Sequence, residues 1–422
     1  MYYDFKYVKE NRDALVDSIK NRSLPFKGSE VNRLIELYER IKKEQLEIDS
    51  VRHERNLIGK LKGENEKKNE QAKKLKLHLD ELEKSIEKEQ AEANALFLIL
   101  PNIIESSVPI AKDETGNVEI KKWGKIPEKN FTVKSAEELA ESKGMLDIER
   151  AAKITGSRFA FLEGKVAELA LALQLYSMKK IADKGYTAVI PPFLMKEDVY
   201  KGIAHMLTFE DALYRVSGRE EDSEDIRYLI STTEHPLIAM YGGETLDESA
   251  LPIKLIGESP AFRKEAGAHG HDTKGIFRLH QFDQTEQIAI CKPEESEKIQ
   301  KEFLANEEEM LQELKIPYRV IILCSGDMGI RDYKQYDVEA YMPFQKNYRE
   351  VMSNDNCTDW ISRRSDIKYV DKNGNKRYAH TVDATGLPIQ RMIKVIMENH
   401  QKSDGTVEIP EVLAKYTGFK EL

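Results

Sequence analysis

A chain of 422 residues is longer than one ordinary hydrophobic core organises, so two domains are expected. Charged residues make up 33% of it, which points to a long solvated helical element, and the net charge of −9 speaks against a general nucleic-acid or DNA binder. The longest apolar run, Ala95 to Leu100, is far short of the ~20 residues of a membrane span, and three scattered cysteines (Cys291, Cys324, Cys357) speak against a disulfide framework or a CxxC-type zinc site. The opening residues Met1 to Lys6 lack the basic stretch and apolar core of a signal peptide, so a cytoplasmic location without a membrane partner is expected.

From Val31 onward, Leu34, Leu37, Ile41, Ile48, Val51 and Ile58 recur at the three-four spacing of a coiled-coil seam, with gaps at Glu44 and Arg55. A second series runs through Leu75, Leu79, Leu82, Ile86, Ala93, Leu96 and Leu100, interrupted at Glu89. Gly63-Glu64-Asn65 breaks the two, and Pro101 stops the second, because proline cannot continue a helix. The pattern predicts an antiparallel coiled-coil hairpin over about residues 31–100, within an arm domain 1–110 that precedes a second domain 111–422. Between Val31 and Leu100 the 15 basic and 15 acidic residues cancel, so the rest of the chain carries the whole deficit. The lysines cluster at the predicted tip: Lys60, Lys62, Lys67, Lys68, Lys73, Lys74 and Lys76. Solvation is the plainer reading of such lysines taken alone; a polyanion touched at one place is the other.

Beyond Pro101, Val118-Glu119-Ile120 and Trp123-Gly124 look like short strands, and Ser135 with Glu138 is spaced as a capping box opening a helix to Lys143. Gly164 to Gly185 reads as an amphipathic helix, followed by a strand Thr187–Ile190 and Pro191-Pro192. Hairpin signals then replace regular βαβ spacing, and neither GxGxxG nor GxxxxGK[ST] occurs, so an α+β domain around an antiparallel sheet fits best.

Three clusters carry chemistry. Between Ala261 and Glu286 a strand delivers Arg263, a Gly/His/Asp loop with His269 and His271 follows, and a second strand returns. Period-two alternation places Arg278, His280 and Phe282 on one face, continued by Gln284 and Glu286. Such a face suits a substrate with phosphates, a flat base and an ammonium group, although a salt-bridged hairpin fits the same residues. In Arg349 to Ser353, Glu350 and Ser353 offer oxygen ligands for a divalent metal; alone, they read better as a polar edge strand. Gly386 to Glu398 is a strand-to-helix junction with Arg391 in the first helical turn, where a buried arginine is costly unless an anion compensates.

These clusters, in this order behind a helical hairpin, resemble the class II aminoacyl-tRNA synthetases, and specifically the seryl-tRNA synthetases of the archaeal and eukaryotic branch. The resemblance covers nearly the whole chain: Gly164–Pro192 is similar to motif 1, Phe262–Glu286 to motif 2 and Gly386–Glu398 to motif 3. Leu100-Pro101-Asn102-Ile103, Asp147 to Lys153, Thr232-Thr233-Glu234-His235-Pro236-Leu237 and Phe262-Arg263-Lys264-Glu265-Ala266-Gly267 carry the family-specific part.

The resemblance implies a homodimer with motif 1 at the subunit interface, a class II antiparallel sheet flanked by helices, and transfer of ATP-activated L-serine to tRNA(Ser); it leaves tRNA(Sec) open. It implies that Arg263 holds the α-phosphate, Glu265 the adenine edge and Phe282 the adenine face, while Arg278 and Arg391 grip the distal phosphates. Lys264, Val351 and Met352 would flank the nucleotide, and Glu350 with Ser353 would bind Mg²⁺, with no zinc. Glu286 would take the substrate ammonium, Thr232, Thr233 and Glu234 would close the pocket, and Asp383 and Thr385 would lie near the substrate hydroxyl. The lysine tip would follow tRNA phosphates.

The sequence departs from the family pattern at several points. Asp383 replaces an asparagine, Gln390 a small residue before the arginine, and Gln284 a common lysine; Met352 and Asn354-Asp355 alter the run around Ser353. An ionised carboxylate at 383 accepts but cannot donate, so the hydroxyl-reading network must differ. Two other readings are a relative that loads an amino acid onto a carrier protein, against which the complete hairpin argues, and a non-catalytic paralogue, against which Arg263, Glu286, Glu350 and Arg391 argue.

Overall fold

The computed structural model describes residues 5–60, 66–205, 210–217, 226–265 and 275–422, and the chain separates into two compact units, Met1–Ile103 and Ile104–Leu422. The segment 104–110, placed with the arm by the expected boundary, is hydrogen-bonded within the second unit: Glu105 N donates to Tyr333 O at 3.0 Å and Ser325 N to Pro109 O at 2.8 Å.

In the first unit, helices α1 (Gly28–Lys60) and α2 (Glu66–Leu98) form the antiparallel hairpin, with Arg33 bonded to Glu92 at 2.8 Å and Gln71 to Glu54 at 3.1 Å. The seam of α1 is the expected one, joined by Val31. Its gap at Glu44 is filled by Ser85, whose hydroxyl donates to the carboxylate at 3.1 Å. Glu89, the interruption in α2, is buried and ion-paired with Arg40. Near the base, Phe97 rather than Leu96 enters the core; Leu96 is only partly buried. The expected break at Gly63-Glu64-Asn65 lies outside the described residues.

Eight strands make the main sheet of the second unit: β1 (Val118–Trp123), β2 (Thr187–Val189), β3 (Ile253–Phe262), β4 (Gln281–Cys291), β5 (Tyr318–Ile322), β6 (Lys334–Met342), β7 (Asn347–Thr358) and β8 (His380–Pro388). Their order is β1-β5-β6-β7-β8-β4-β3-β2, and every neighbouring pair is antiparallel except β2 on β3. The two pieces expected around Val118 and Trp123 are one continuous strand. Among the helices that cover the sheet are α3 (Gly164–Ala182), α4 (Glu234–Ala239), α5 (Ser296–Glu313) and α6 (Ile389–Asn399).

Alternation along the strands separates two apolar layers. Ile288 and Ile290 of β4, with Leu255 of β3, pack toward α4; Ala289, Cys291 and Ile256 pack toward α3, α5 and α6. The capping box is present: Glu138 N donates to Ser135 Oγ at 3.2 Å and Ser135 N to the Glu138 carboxylate at 3.0 Å, opening the helix Ala136–Ser142. At Gly386 a Cβ would lie 2.4 Å from Thr285 Oγ1. Glycine there lets β8 approach β4, so that Leu387 N donates to that hydroxyl at 2.7 Å.

Candidate active site

The central strands open onto a partly enclosed, mostly polar recess. Phe282, Gln284 and Glu286 line it at period-two spacing along β4, joined by Arg263 just beyond β3, Glu350, Val351 and Ser353 of β7, Asp383 and Thr385 of β8, and Arg391 of α6. One end is rich in arginine. Arg263 Nε donates to Ser231 O at 2.9 Å and its guanidinium lies 5.2 Å from the Phe282 ring centre, so the head of this half-buried arginine is anchored where the residue lines the recess. Arg278 pairs with Glu265 at 3.4 Å. Arg391 donates from Nη1 to the Glu350 carboxylate at 3.2 Å and lies 5.0 Å from the Phe277 ring centre. Burial would raise the Glu350 carboxyl, but Arg391 and Arg278 outweigh it and hold the group below its ordinary value. Glu350 and Ser353 both line the recess, and a carboxylate and a hydroxyl are hard oxygens of the kind magnesium prefers.

The other end is acidic. Arg331, in the turn before β6, sits among Glu234, Asp355 at 3.0 Å, Asp383 at 2.9 Å and Asp332 at 3.3 Å. Gln284 Nε2 donates to Thr232 Oγ1 at 2.7 Å, and Ser353 N donates to Thr385 Oγ1 at 3.3 Å. Burial raises the Glu286 carboxyl well above the ordinary carboxylate range, and Glu234 and Asp383 add to the rise against the pull of Arg263 and Arg331. Burial likewise lifts Asp355 and Asp383. Glu234 is held low, because Arg331 overcomes the effect of its burial. Carboxylates thus outnumber their counter-charges here, which suits a small cationic group.

Most residues expected from the sequence meet in this one recess, but four do not. Thr233 is buried behind it, its hydroxyl 2.7 Å from Ser259 Oγ. Lys264 points outward, 5.9 Å from the Tyr214 ring centre. Met352 lies in the apolar core and does not line the recess, whereas Val351, in the same core cluster, also reaches it. His280 does not share the face of Phe282, because β4 begins only at Gln281; its ring stacks on Phe159 at 5.3 Å, and Arg278 reaches the recess from a turn instead. Lys62, His269 and His271 lie outside the described residues. Lys67, Lys73, Lys74 and Lys76 are exposed on the first turns of α2, Lys68 is partly exposed, and Lys60 ends α1. The sequence reading passed over Arg331, Phe277 and Asp283, all in the wall of the recess. Only the position of Arg331 in a Gly/Asp-rich segment before a strand would have marked it.

Comparison with known proteins adds an independent line. Residues 214–400 match the tRNA synthetase class II core domain (G, H, P, S and T), and residues 3–104 match the seryl-tRNA synthetase N-terminal domain. A serine–tRNA ligase from Methanocella arvoryzae is 39% identical over 98% of both chains. The crystal structure of seryl-tRNA synthetase from Pyrococcus horikoshii complexed with ATP superposes with a TM-score of 0.91 at 39% identity, covering 99% of each chain. A cytoplasmic serine–tRNA ligase from Naegleria fowleri in complex with AMP gives 0.86 at 30% identity, covering 99% of this chain and 98% of that one.

Proposed function

The chain belongs to the seryl-tRNA synthetases, ligases that join serine to tRNA, and from that membership we propose how its residues divide the work. In the first step the serine carboxylate attacks the α-phosphorus of ATP, forming the mixed anhydride and expelling pyrophosphate. Negative charge grows on the α-phosphate oxygens, where Arg263 stands ready, while Arg278 and Arg391 take the distal phosphates, Phe282 the adenine face and Glu265 its edge. The attacking carboxylate is already ionised, so positioning and electrostatics suffice and no protein base is needed. Glu286 takes the substrate ammonium, and Thr232, Glu234, Arg331, Asp383 and Thr385 form the floor that reads the hydroxyl. In the second step the terminal ribose hydroxyl of tRNA attacks the carbonyl and AMP leaves.

The convergence of three arginines at one end of the recess and an over-acidic floor at the other carries this reading. ATP–pyrophosphate exchange tests it: serine should drive exchange, while alanine and glycine should drive it at least ~100-fold less well, since each leaves the buried hydroxyl-reading groups unpaired. Equal rates would remove the assignment. Mg²⁺ would be held by Glu350 and Ser353, where it would neutralise phosphate charge.

The raised Glu286 carboxyl has a consequence in pH. An ammonium group favours the ionised form, so wherever Glu286 is protonated in the free enzyme, serine binding must release a proton. The kcat/KM for serine should therefore fall as pH falls, beginning above the usual carboxylate range of ~4.3, with a limiting slope near one. A flat profile from about pH 8 to about pH 5 would contradict the assignment.

The exposed lysines of α1 and α2 would track tRNA phosphates, reading shape more than sequence. Replacing Lys67, Lys68, Lys73 and Lys74 with alanine should raise the KM for tRNA and weaken its salt dependence, leaving pyrophosphate exchange unchanged. Loss of exchange in step with tRNA charging would show the lysines are not a tRNA contact. A homodimer is proposed on the exposed apolar positions Leu171 and Leu175 of α3 and Ile190 beyond β2, which a second copy would cover. Among the described residues no helix is long and apolar enough to cross a membrane, and a cytoplasmic site of action is proposed.

A further inference from the structure

We propose that Asp283 and Gln390 form a clasp that sets the distance between the two halves of the nucleotide site, an inference that rests on the ATP-site reading above. Phe282, assigned to the base, immediately precedes Asp283; Arg391, assigned to the phosphates, immediately follows Gln390. The pair is bonded reciprocally: Asp283 N donates to Gln390 Oε1 at 2.8 Å, and Gln390 Nε2 donates to Asp283 Oδ2 at 2.6 Å. Gln390 is buried, and both side chains line the recess.

The clasp stands where regular pairing stops. Strand β8 ends at Pro388, opposite Gln284, so beyond that point β8 has no acceptor for the next N–H of β4. Gln390 supplies one from its side chain and carries the pairing a step further. The α6 N-terminus has no side-chain cap of its own, so the first helical turn, which carries Arg391, is tied to β4 by this contact. Chemistry dictates the residue: the bond pair uses an acceptor and a donor on two separate atoms of one side chain, which an amide has, an ionised carboxylate lacks for want of a donor, and a small residue lacks for want of a second polar atom. The glutamine that departs from the family pattern at 390 thus has a positioning role, holding Arg391 at a fixed reach from the Phe282 ring while touching neither reacting atom.

The test is serine-dependent ATP–pyrophosphate exchange on the full chain. Gln390→Glu keeps the acceptor for Asp283 N but sets two carboxylates against each other. It should raise the KM for ATP on the order of tenfold while changing the KM for serine less than about twofold. Adding Asp283→Asn restores a donor in the reverse sense, since the new amide at 283 donates to the new carboxylate at 390. The double variant should return the KM for ATP to within about threefold of the parent. An unchanged KM for ATP in Gln390→Glu, or a double variant no better than the single one, overturns the clasp. Should Gln390→Glu not fold, Gln390→Ala, Asp283→Ala and their combination read the same coupling: equal rises in KM sustain it, and rises that multiply overturn it. Absence of serine-dependent exchange in the unaltered protein would instead sink the ATP-site reading, so the two failures are distinct.

Discussion

Replacing Arg263 with alanine should lower kcat in serine-dependent pyrophosphate exchange on the order of 10³-fold or more, the largest loss expected of any single change in the recess. One preorganised donor aimed at a developing oxyanion is worth roughly 10²–10³ in rate, and Arg263 brings a full charge together with its outer N–H groups. Its aim depends on two contacts that do not involve substrate, the Nε bond to Ser231 O at 2.9 Å and the Phe282 ring 5.2 Å from the guanidinium. Ser231 is itself held, its N–H donating to the Tyr200 hydroxyl at 3.2 Å. Arg263→Lys keeps the charge but has no Nε donor to anchor it, so it should recover no more than about tenfold of the loss. Steady-state exchange at saturating ATP and serine measures both, and a kcat for Arg263→Ala within tenfold of the parent would show that the α-phosphate is stabilised elsewhere.

The second large effect is on stability. Arg331→Ala should destabilise the second unit by about 3–5 kcal/mol, because it strands the buried Glu234 carboxylate, which Arg331 holds ionised, and leaves the Asp355 and Asp383 carboxyls beside it without their shared partner. All three are almost fully buried, and Arg331 is mostly so. The carboxyls can escape only by taking up protons, so the loss should be largest near neutral pH and shrink as pH falls. Combining Arg331→Ala with Glu234→Gln, which removes the carboxylate that Arg331 holds ionised, should restore part of the stability. Urea unfolding at pH 7 and at pH 5 checks this, and an unfolding midpoint for Arg331→Ala equal to the parent's at pH 7 would contradict it. The same arginine accounts for the departure at Asp383. Where the family pattern carries an uncharged amide, this chain carries a carboxyl bonded to Arg331 at 2.9 Å, and burial opposes its ionisation while the arginine offsets what charge it takes.

Much of this site was legible before any fold was known. The strand-borne spacing of Phe282, Gln284 and Glu286 and the helix-start position of Arg391 are local regularities, and local regularities survive in a linear text. His280 misled because period-two reasoning was extended one step past the start of β4, into a turn where alternation no longer applies. Met352 is buried in the core while Glu350, Val351 and Ser353 reach the recess, and the irregular register of β7 against β6 there keeps simple alternation from telling them apart. Both positions turn on which way a side chain points, which depends on where the regular element begins and which face is buried.

By itself the sequence determined the helical hairpin with its seam, the antiparallel sheet, the capping box at Ser135 and the chemical kind of the strand-borne groups Phe282, Gln284 and Glu286. Periodicity and capping act over a few residues, and the chain order of the motifs needs no coordinates. The tertiary structure alone decided the partnerships: Arg331 with Glu234, Asp355 and Asp383 at sequence separations of 97, 24 and 52, and Asp283 with Gln390 at 107. Such pairs form only when strands distant in the chain are brought side by side, and burial then makes an unpaired charge or donor costly enough to enforce them.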